Sequence, residues 1–386
     1  MVWRDSIAFE LSEEENFACD TAHAFAQKEV APLAAKIDRE HYFPGELLPK
    51  MGALGLMGAI VPPEFGGAGL STVAYALMVE ELSAACASTG IIVSAHTSLC
   101  VSPILTFGTQ EQKTQFLPRL ASGEALGCFA LSEPGTGSDA ASITCTFRKE
   151  GDDFIVNGTK NWITNGPEAS VCVLFAIQDV TKGNKGISAF VHDMNLPGIS
   201  CGKREDKMGI RGSPTSSITY DNVRLPKGSM LHDENRGFTV AMTTLNGGRI
   251  GVAAQAIGIA RSAFDDALKY SQERKAFGKR VCDHQSIQNY FADMVCHIDS
   301  SRYLTLDAAK RKDRDVSYVR QAAMAKLFAS ETAMMCAVKG IQIHGGYGYV
   351  TDYPAERHLR DAKITEIYEG TSEIQRILIA SQLLKE

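Results

Sequence analysis

Phe154-Ile155-Val156-Asn157-Gly158-Thr159-Lys160-Asn161-Trp162-Ile163 breaks the helical rhythm of the sequence on either side of it. β-Branched and aromatic residues suit a pleated surface, and Asn-Gly is a preferred two-residue hairpin turn, so the stretch predicts two strands joined at Asn157-Gly158. Val171 to Ile177, Ile187 to His192 and Ser216 to Val223 are similar runs separated by Gly, Asn, Pro and Asp. They put a β domain in the middle third.

Both flanks read as helical. Ser12 and Glu15 make a capping-box pattern ahead of Ala18, Ala22, Phe25, Ala26, Val30, Leu33 and Ile37, which lie at helical spacing. Thr72 to Ala87 and Ile91 to Phe107 continue that pattern, and Thr109 with Gln112 repeats the cap. After Gly237, Ile250, Ala253, Ile257, Ala260, Phe264 and Leu268 return to the helical period, and Ser372 with Gln375 caps a last helix. The expected fold is mainly α with a central β domain: helical over 1–125, β over 126–232 and helical again over 233–386. Without βαβα alternation, a dinucleotide-binding doubly wound sheet is disfavoured.

A chain of 386 residues exceeds one ordinary core, and its 45% hydrophobic and 22% charged content is that of a globular protein. The expectation is a soluble protein, no stretch approaching the roughly 18 apolar residues that span a bilayer. A net charge of −6 with both signs interspersed gives no broad surface for nucleic acid. The ten cysteines stand singly, which suggests free thiols in a reducing compartment and no metal site. The N-terminus lacks a signal or transit pattern, and Leu-Leu-Lys-Glu at the end is not a peroxisomal address.

Several segments could carry chemistry, each with a plainer reading beside it. Phe65 to Gly69 lacks the strand and the spacing of a nucleotide fingerprint and reads as a tight loop between helices. Ser132 to Asp139 is a turn whose small residues also let a backbone approach a ligand. Trp162 suits a core position or the face of a planar heterocycle, with the Thr164 hydroxyl nearby. Arg274 to Arg280 is a solvated basic helix end or a cradle for pyrophosphate. Gln342 to Gly346 closes a helix. Glu369, next to Gly370, is a solvated loop acid or an acid that a substrate can approach closely. His96, His297 and His344 fit core positions as well as functional ones, and no Ser/His/Asp set suggests hydrolysis.

Taken together and in order, FALSEPGTGSD (129–139), WITNG (162–166), RKAFGK (274–279) and IYEGTSEIQR (367–376) resemble the acyl-CoA dehydrogenase family over essentially the whole chain. DKMGIRGS (206–213) and LNGGRIGVAAQAIGIA (245–260) resemble its short-chain, butyryl-type branch. The resemblance implies an N-terminal α domain, a middle β-barrel-like domain and a C-terminal four-helix bundle, with FAD as cofactor. It implies that Phe129, Ala130, Leu131, Ser132, Gly137 and Ser138 line FAD, with Trp162 against the ring, Ile163 beside it and Thr164 near the reactive nitrogen. Arg274, Phe277, Gln285, Gln342, Ile343, His344, Gly345 and Gly346 match positions that reach the FAD of a neighbouring subunit. Thr371, Ser372 and Glu373 match positions that return to their own. A homo-oligomer, a tetramer, follows from that sharing.

By the same resemblance, Ser138, Asn246, Gly247, Gly248, Arg249 and Gly370 contact the acyl-CoA substrate, with Asn246 standing where many relatives carry Asp. His96, Ile92 and Val93 are placed at the floor of the acyl pocket. Glu369 is the base; two branches carry theirs at the position of Gly248, which here has no side chain. The implied reaction is FAD-dependent α,β-dehydrogenation of short-chain acyl-CoA to trans-2-enoyl-CoA in fatty acid β-oxidation, with electrons passed to electron-transfer flavoprotein. Enclosure should lift Glu369 from the ordinary carboxylate range of about 4.3 toward operating pH. A short branched-chain dehydrogenase, a non-catalytic acyl-CoA or flavin binder and an oxidase are the alternatives. The compartment implied is the mitochondrial matrix in a eukaryote and the cytoplasm otherwise.

Overall fold

A computed structural model describes residues 3–385. The chain begins with helices α1 (Glu13–Phe25), α2 (Ala34–Arg39), α3 (Leu47–Ala53), α4 (Thr72–Ala85), α5 (Ala87–Ala95), α6 (Ser102–Phe107) and α7 (Gln110–Ala121). Two of the three expected capping boxes form: Ser12 and Thr109 accept from the backbone of Glu15 and Gln112, whose side chains return the bond. Ala87–Phe107 does have the length and apolar composition of a membrane-crossing helix, against the expectation from sequence, and 78% of its most apolar stretch is buried inside the protein. It is a core element here, its middle widened into a π-helical turn over His96–Val101.

Strands β1 (Gly127–Ala130), β2 (Thr146–Glu150), β3 (Asp153–Thr164), β4 (Val171–Ile177), β5 (Ile187–Asp193), β6 (Ile199–Cys201), β7 (Thr215–Leu225) and β8 (Met230–Leu231) follow. They form one sheet in the order β6-β7-β3-β2-β4-β5-β8, and β1 lies parallel to β4. β4 shows why a near-continuous apolar run appears here. Val171, Val173, Phe175 and Ile177 enter a core shared with α6 and α7, while Cys172, Leu174 and Ala176 enter the core on the opposite face. A strand covered on both sides has no polar face.

The hairpin expected at Asn157-Gly158 does not exist, because β3 is a single strand of 12 residues. The turn lies earlier, at Gly151-Asp152, where Glu150 pairs with Asp153 and Gly151 has φ 64°. Gly158 has φ 148°, and a Cβ there would stand 2.7 Å from the Cys145 Cα, so its glycine permits a close backbone approach and not a turn.

Helix α8 (Gly237–Glu273) leads to a ribbon of β9 (Lys275–Ala276) and β10 (Lys279–Arg280), then α9 (Gln285–Asp313), α10 (Val319–His344), α11 (Ala355–Thr365) and α12 (Ser372–Leu383). Ala253, Ala256, Ile257, Ala260 and Phe264 of α8 meet Met294 and Ile298 of α9, Ala325, Ala329 and Ala333 of α10, and Ala362 of α11 in one core. Alanines on facing helices let the axes approach closely and keep the bundle tight. The last helix is capped by Thr371, which accepts from the Ile374 N–H, and not by Ser372, which occupies the first helical position.

Candidate active site

Between α11 and α12 the backbone turns left-handed twice, at Glu369 (φ 53°) and Gly370 (φ 98°). A non-glycine residue in that region is uncommon and must be held there. Two donors hold it, both aimed at the Gly370 carbonyl: the Lys326 ammonium at 2.7 Å and the Gln375 side-chain amide at 2.8 Å.

The Glu369 side chain enters the interior, where its Oε2 is enclosed and has no hydrogen-bond partner. Oε2 lies against α8 at Gly248, close enough that a Cβ added there would overlap it, and Leu99 packs on the other side. A side chain at position 248 would displace the Glu369 carboxylate from where it now lies. Burial pushes the carboxyl up to about 7, opposed by the positive charges of Arg249 and Lys326. The reading of Glu369 as a solvated loop acid is thus excluded.

Asn246, Gly247, Gly248 and Arg249 are consecutive on α8. Arg249 is buried and donates to the Asn246 side-chain oxygen, leaving its Nε unpaired. Gly247 faces the Lys312 ammonium, 3.1 Å from where a Cβ would be. One turn beyond Gly248, Gly251 is closed off by the hydroxyls of Tyr75 and Ser94, which lie 3.1 Å apart. Ile92 and Val93 are buried in the N-terminal core. His96, fully buried, accepts from the Gly127 N–H at 3.0 Å and is held neutral by burial, down to about 4.

At one end of the sheet the segments around 129 and 162 meet. Phe129 and Ala130 lie on β1, and Phe129 packs against Phe175 and the helical bundle. The Asn161 N–H donates to the Ser132 carbonyl at 2.8 Å, and the Lys160 ammonium reaches the Leu131 carbonyl and, at 2.7 Å, the Glu133 carboxylate. Lys160 and Glu133 are buried together, and Glu133 also accepts from the Thr144 N–H and hydroxyl and the Cys145 N–H. Every acceptor of that carboxylate is occupied, and burial, which works to raise its pKa, is outweighed by Lys160. Glu133 lies in the 129–139 motif and Lys160 just ahead of the 162–166 motif, and neither was given a role from the sequence.

Between Lys160 and Ile163, β3 carries one residue more than β7, a β-bulge. Trp162 occupies it with φ 60° and is 60% exposed, whereas Ile163 is buried and Thr164 pairs with Thr215. Asn165 then ties the strand to α5 and β1 through the Ile92 and Gly127 carbonyls. Gly137 and Ser138 are exposed, with open space over Gly135 and Gly137. Thr136 Oγ1, Ser372 Oγ and Gln375 Oε1 are buried without partners, and Glu373, next to Ser372 in the chain, is exposed. An outward aromatic face, open glycines and orphaned hydroxyls fit a large planar cofactor with a polar tail.

The remaining predicted positions gather elsewhere. A groove of about 630 Å³ is lined by Tyr270, Arg274, Ile343, His344, Gly345 and Gly346. Arg274 lies over the Tyr347 ring, and His344 stacks on Tyr270 while bonding the Gly340 carbonyl. Gln285 and Gln342 are exposed nearby in sequence, and Phe277, at the tip of the β9–β10 ribbon with φ 51°, is 95% exposed. His297 is exposed too, stacked on Phe328. Arg274 stands roughly 39 Å from Gly248 along α8 at 1.5 Å per residue. The groove thus lies far from the Glu369 of its own chain.

Models of the acyl-CoA dehydrogenase N-terminal, middle and C-terminal domains match residues 12–124, 128–223 and 235–384. The chain belongs to the acyl-CoA dehydrogenase family. This acyl-CoA dehydrogenase is 52% identical to the mitochondrial short-chain specific acyl-CoA dehydrogenase of Homo sapiens, over 97% of this chain and 91% of that one. The butyryl-CoA dehydrogenase structure from Megasphaera elsdenii superposes with a TM-score of 0.96 at 43% identity, covering 98% and 100% of the two chains. A chain in a structure of the electron transferring flavoprotein of Acidaminococcus fermentans superposes with a TM-score of 0.97 at 46% identity, covering 98% and 100%. The dehydrogenase is thus a flavoprotein oxidoreductase acting on CH–CH bonds, with FAD as its cofactor.

Proposed function

We propose that this enzyme oxidises short-chain acyl-CoA thioesters to trans-2-enoyl-CoA in fatty acid β-oxidation, with Glu369 as the base. The observation that carries the reading is the enclosed, unpartnered Glu369 carboxylate against Gly248. A carboxylate raised toward neutrality by burial is matched to removing a weakly acidic α-proton, which an ordinary one is not. The Glu369 N–H, which makes no backbone hydrogen bond among the described residues, is available to the thioester oxygen as charge develops there. Arg249, with Asn246, Gly247, Gly370 and Ser138, orients the thioester and its CoA arm. FAD, when bound, accepts the β-hydrogen with its electron pair.

Phe129, Ala130, Leu131, Ser132, Gly137 and Ser138, with Trp162, Ile163, Thr164, Thr371, Ser372 and Glu373, hold FAD of their own protomer. Arg274, Phe277, Gln285 and Gln342 to Gly346 hold that of a partner. The separation of the groove from Glu369 supports this division and, with it, a homotetramer. Domain limits near 125 and 232 accompany the change from helices to strands and back. The Acidaminococcus structure supports electron-transfer flavoprotein as the acceptor, and the human relative's name supports the mitochondrial matrix in a eukaryote, the cytoplasm otherwise. The short-chain preference is supported by Tyr75 and Ser94, which close on α8 about 4.5 Å beyond Gly248.

Anaerobic titration with butyryl-, isobutyryl-, 2-methylbutyryl- and octanoyl-CoA, following loss of oxidised flavin absorbance, tests this reading. Butyryl-CoA should bleach the flavin first, and Glu369→Gln should keep the flavin but lose at least about a thousandfold in its rate of reduction. Near-normal reduction in that variant would remove Glu369 from its role, and preference for a branched thioester would move the substrate.

A further inference from the structure

Lys326 of α10 is 0% exposed, and no carboxylate lies within ion-pair distance of its ammonium among the described residues. Burying an unpaired ammonium costs several kcal/mol by ordinary solvation arguments. Its hydrogen bond goes to the Gly370 carbonyl, directly after the two left-handed residues that present Glu369. The charges acting on Lys326 are Glu369, Glu366 and Glu373, which favour it, and Arg249, which does not. Glu369 is faced by Arg249 from α8, Lys326 from α10 and the Tyr75 hydroxyl from α4, with Tyr368 beside it in its own segment.

We propose that Lys326 is a positioning residue for Glu369: its ammonium pins the Gly370 carbonyl and so the left-handed turn, and its charge keeps the facing carboxylate in the ionised form that a base needs. The inference rests on Glu369 being the base. Gln375 alone could supply a neutral hydrogen bond to the same carbonyl, so what Lys326 adds is charge. Burial pulls its ammonium down to about 8, which leaves it charged at neutral pH. Without it, Arg249 is the one cation left opposing the burial of Glu369 among those that act on it.

The test uses the FAD-loaded enzyme and the dependence of kcat/KM on pH in Lys326→Met, Lys326→Gln and Lys326→Arg, with flavin content and melting temperature as folding controls. In the Met and Gln variants the midpoint of the acidic limb should rise by about one pH unit, a loss of roughly tenfold below that limb that largely recovers at high pH. Arg should restore the midpoint. Glutamine still donates to Gly370, so a flat loss at every pH with an unmoved midpoint in that variant overturns the proposal even where Met fails to fold. Glu369→Gln is measured in parallel: if it stays active, the base assignment fails; if it is dead and the Lys326 midpoints do not move, the Lys326 proposal alone fails.

Discussion

Glu369 is a carboxylate whose surroundings, and not its type, decide what it can do. Its pKa of about 7 means that kcat/KM should climb with pH through that value and level off above it, with a unit slope on the acid side. The same shift affects stability. An acid whose folded pKa lies above its unfolded value of 4.5 costs nothing below 4.5, and the cost grows as pH rises through 4.5 to about 7. Glu369→Gln should therefore melt about 1–3 °C higher than the parent at pH 8, and the gap should close near pH 4.5. A lower melting temperature for the variant at pH 8 would mean that the ionised carboxylate is stabilised by partners. The upward shift was expected from the resemblance, but the groups that produce it were not legible locally. The motif identified Glu369, but its enclosure depends on Gly248, Leu99 and Lys326, which lie on three other helices and converge only in the fold.

Among the elements, β3 shows where local reading fails. Asn157-Gly158 has the chemistry of a turn, but Gly151-Asp152 offers the same chemistry six residues earlier, and β7 pairs along the whole of β3. Long-range pairing overrode local preference, whereas the capping boxes at Ser12 and Thr109, which need only four consecutive residues, were legible, and the third missed its cap by one residue. The bulge at Trp162 could not be read either, because it is defined by β7 opposite. The Glu133–Lys160 pair anchors the segment after β1 to β3, and Lys160→Met should leave a buried carboxylate without its cation, held only by the Thr144 and Cys145 donors. Loss of about 3–5 kcal/mol in urea unfolding is expected, together with weakened flavin retention; unchanged stability would mean that Glu133 takes up a proton at little cost. Where α4, α5 and α8 meet, Tyr75→Ala should deepen the acyl space and raise the octanoyl-to-butyryl ratio of kcat/KM by roughly tenfold or more. An unchanged ratio would put the limit on chain length elsewhere.

At the scale of the whole molecule, two features join what the sequence separates into domains. Glu80 and Glu81 of α4 meet Arg261 of α8, and Arg302 of α9 reaches Glu80, all four buried, so the N-terminal helices are tied to the bundle by ions that cannot reach water. The helix–strand–helix order was readable from hydrophobic periods, but these ties, between residues more than 150 apart, were not. The second feature points outward. An aromatic side chain left almost wholly in water in a left-handed turn, as Phe277 is, forgoes a large burial gain and adds backbone strain. On the proposed sharing of the cofactor sites, a partner protomer covering Phe277 beside its own FAD would account for both. Phe277→Ser removes the aromatic face and leaves the cores of its own chain untouched. The variant should fold with the parent's circular dichroism yet retain less than about half of its FAD after gel filtration, and elute in part as smaller species. Full flavin content in an unchanged oligomer would show that this tip is not part of the shared site.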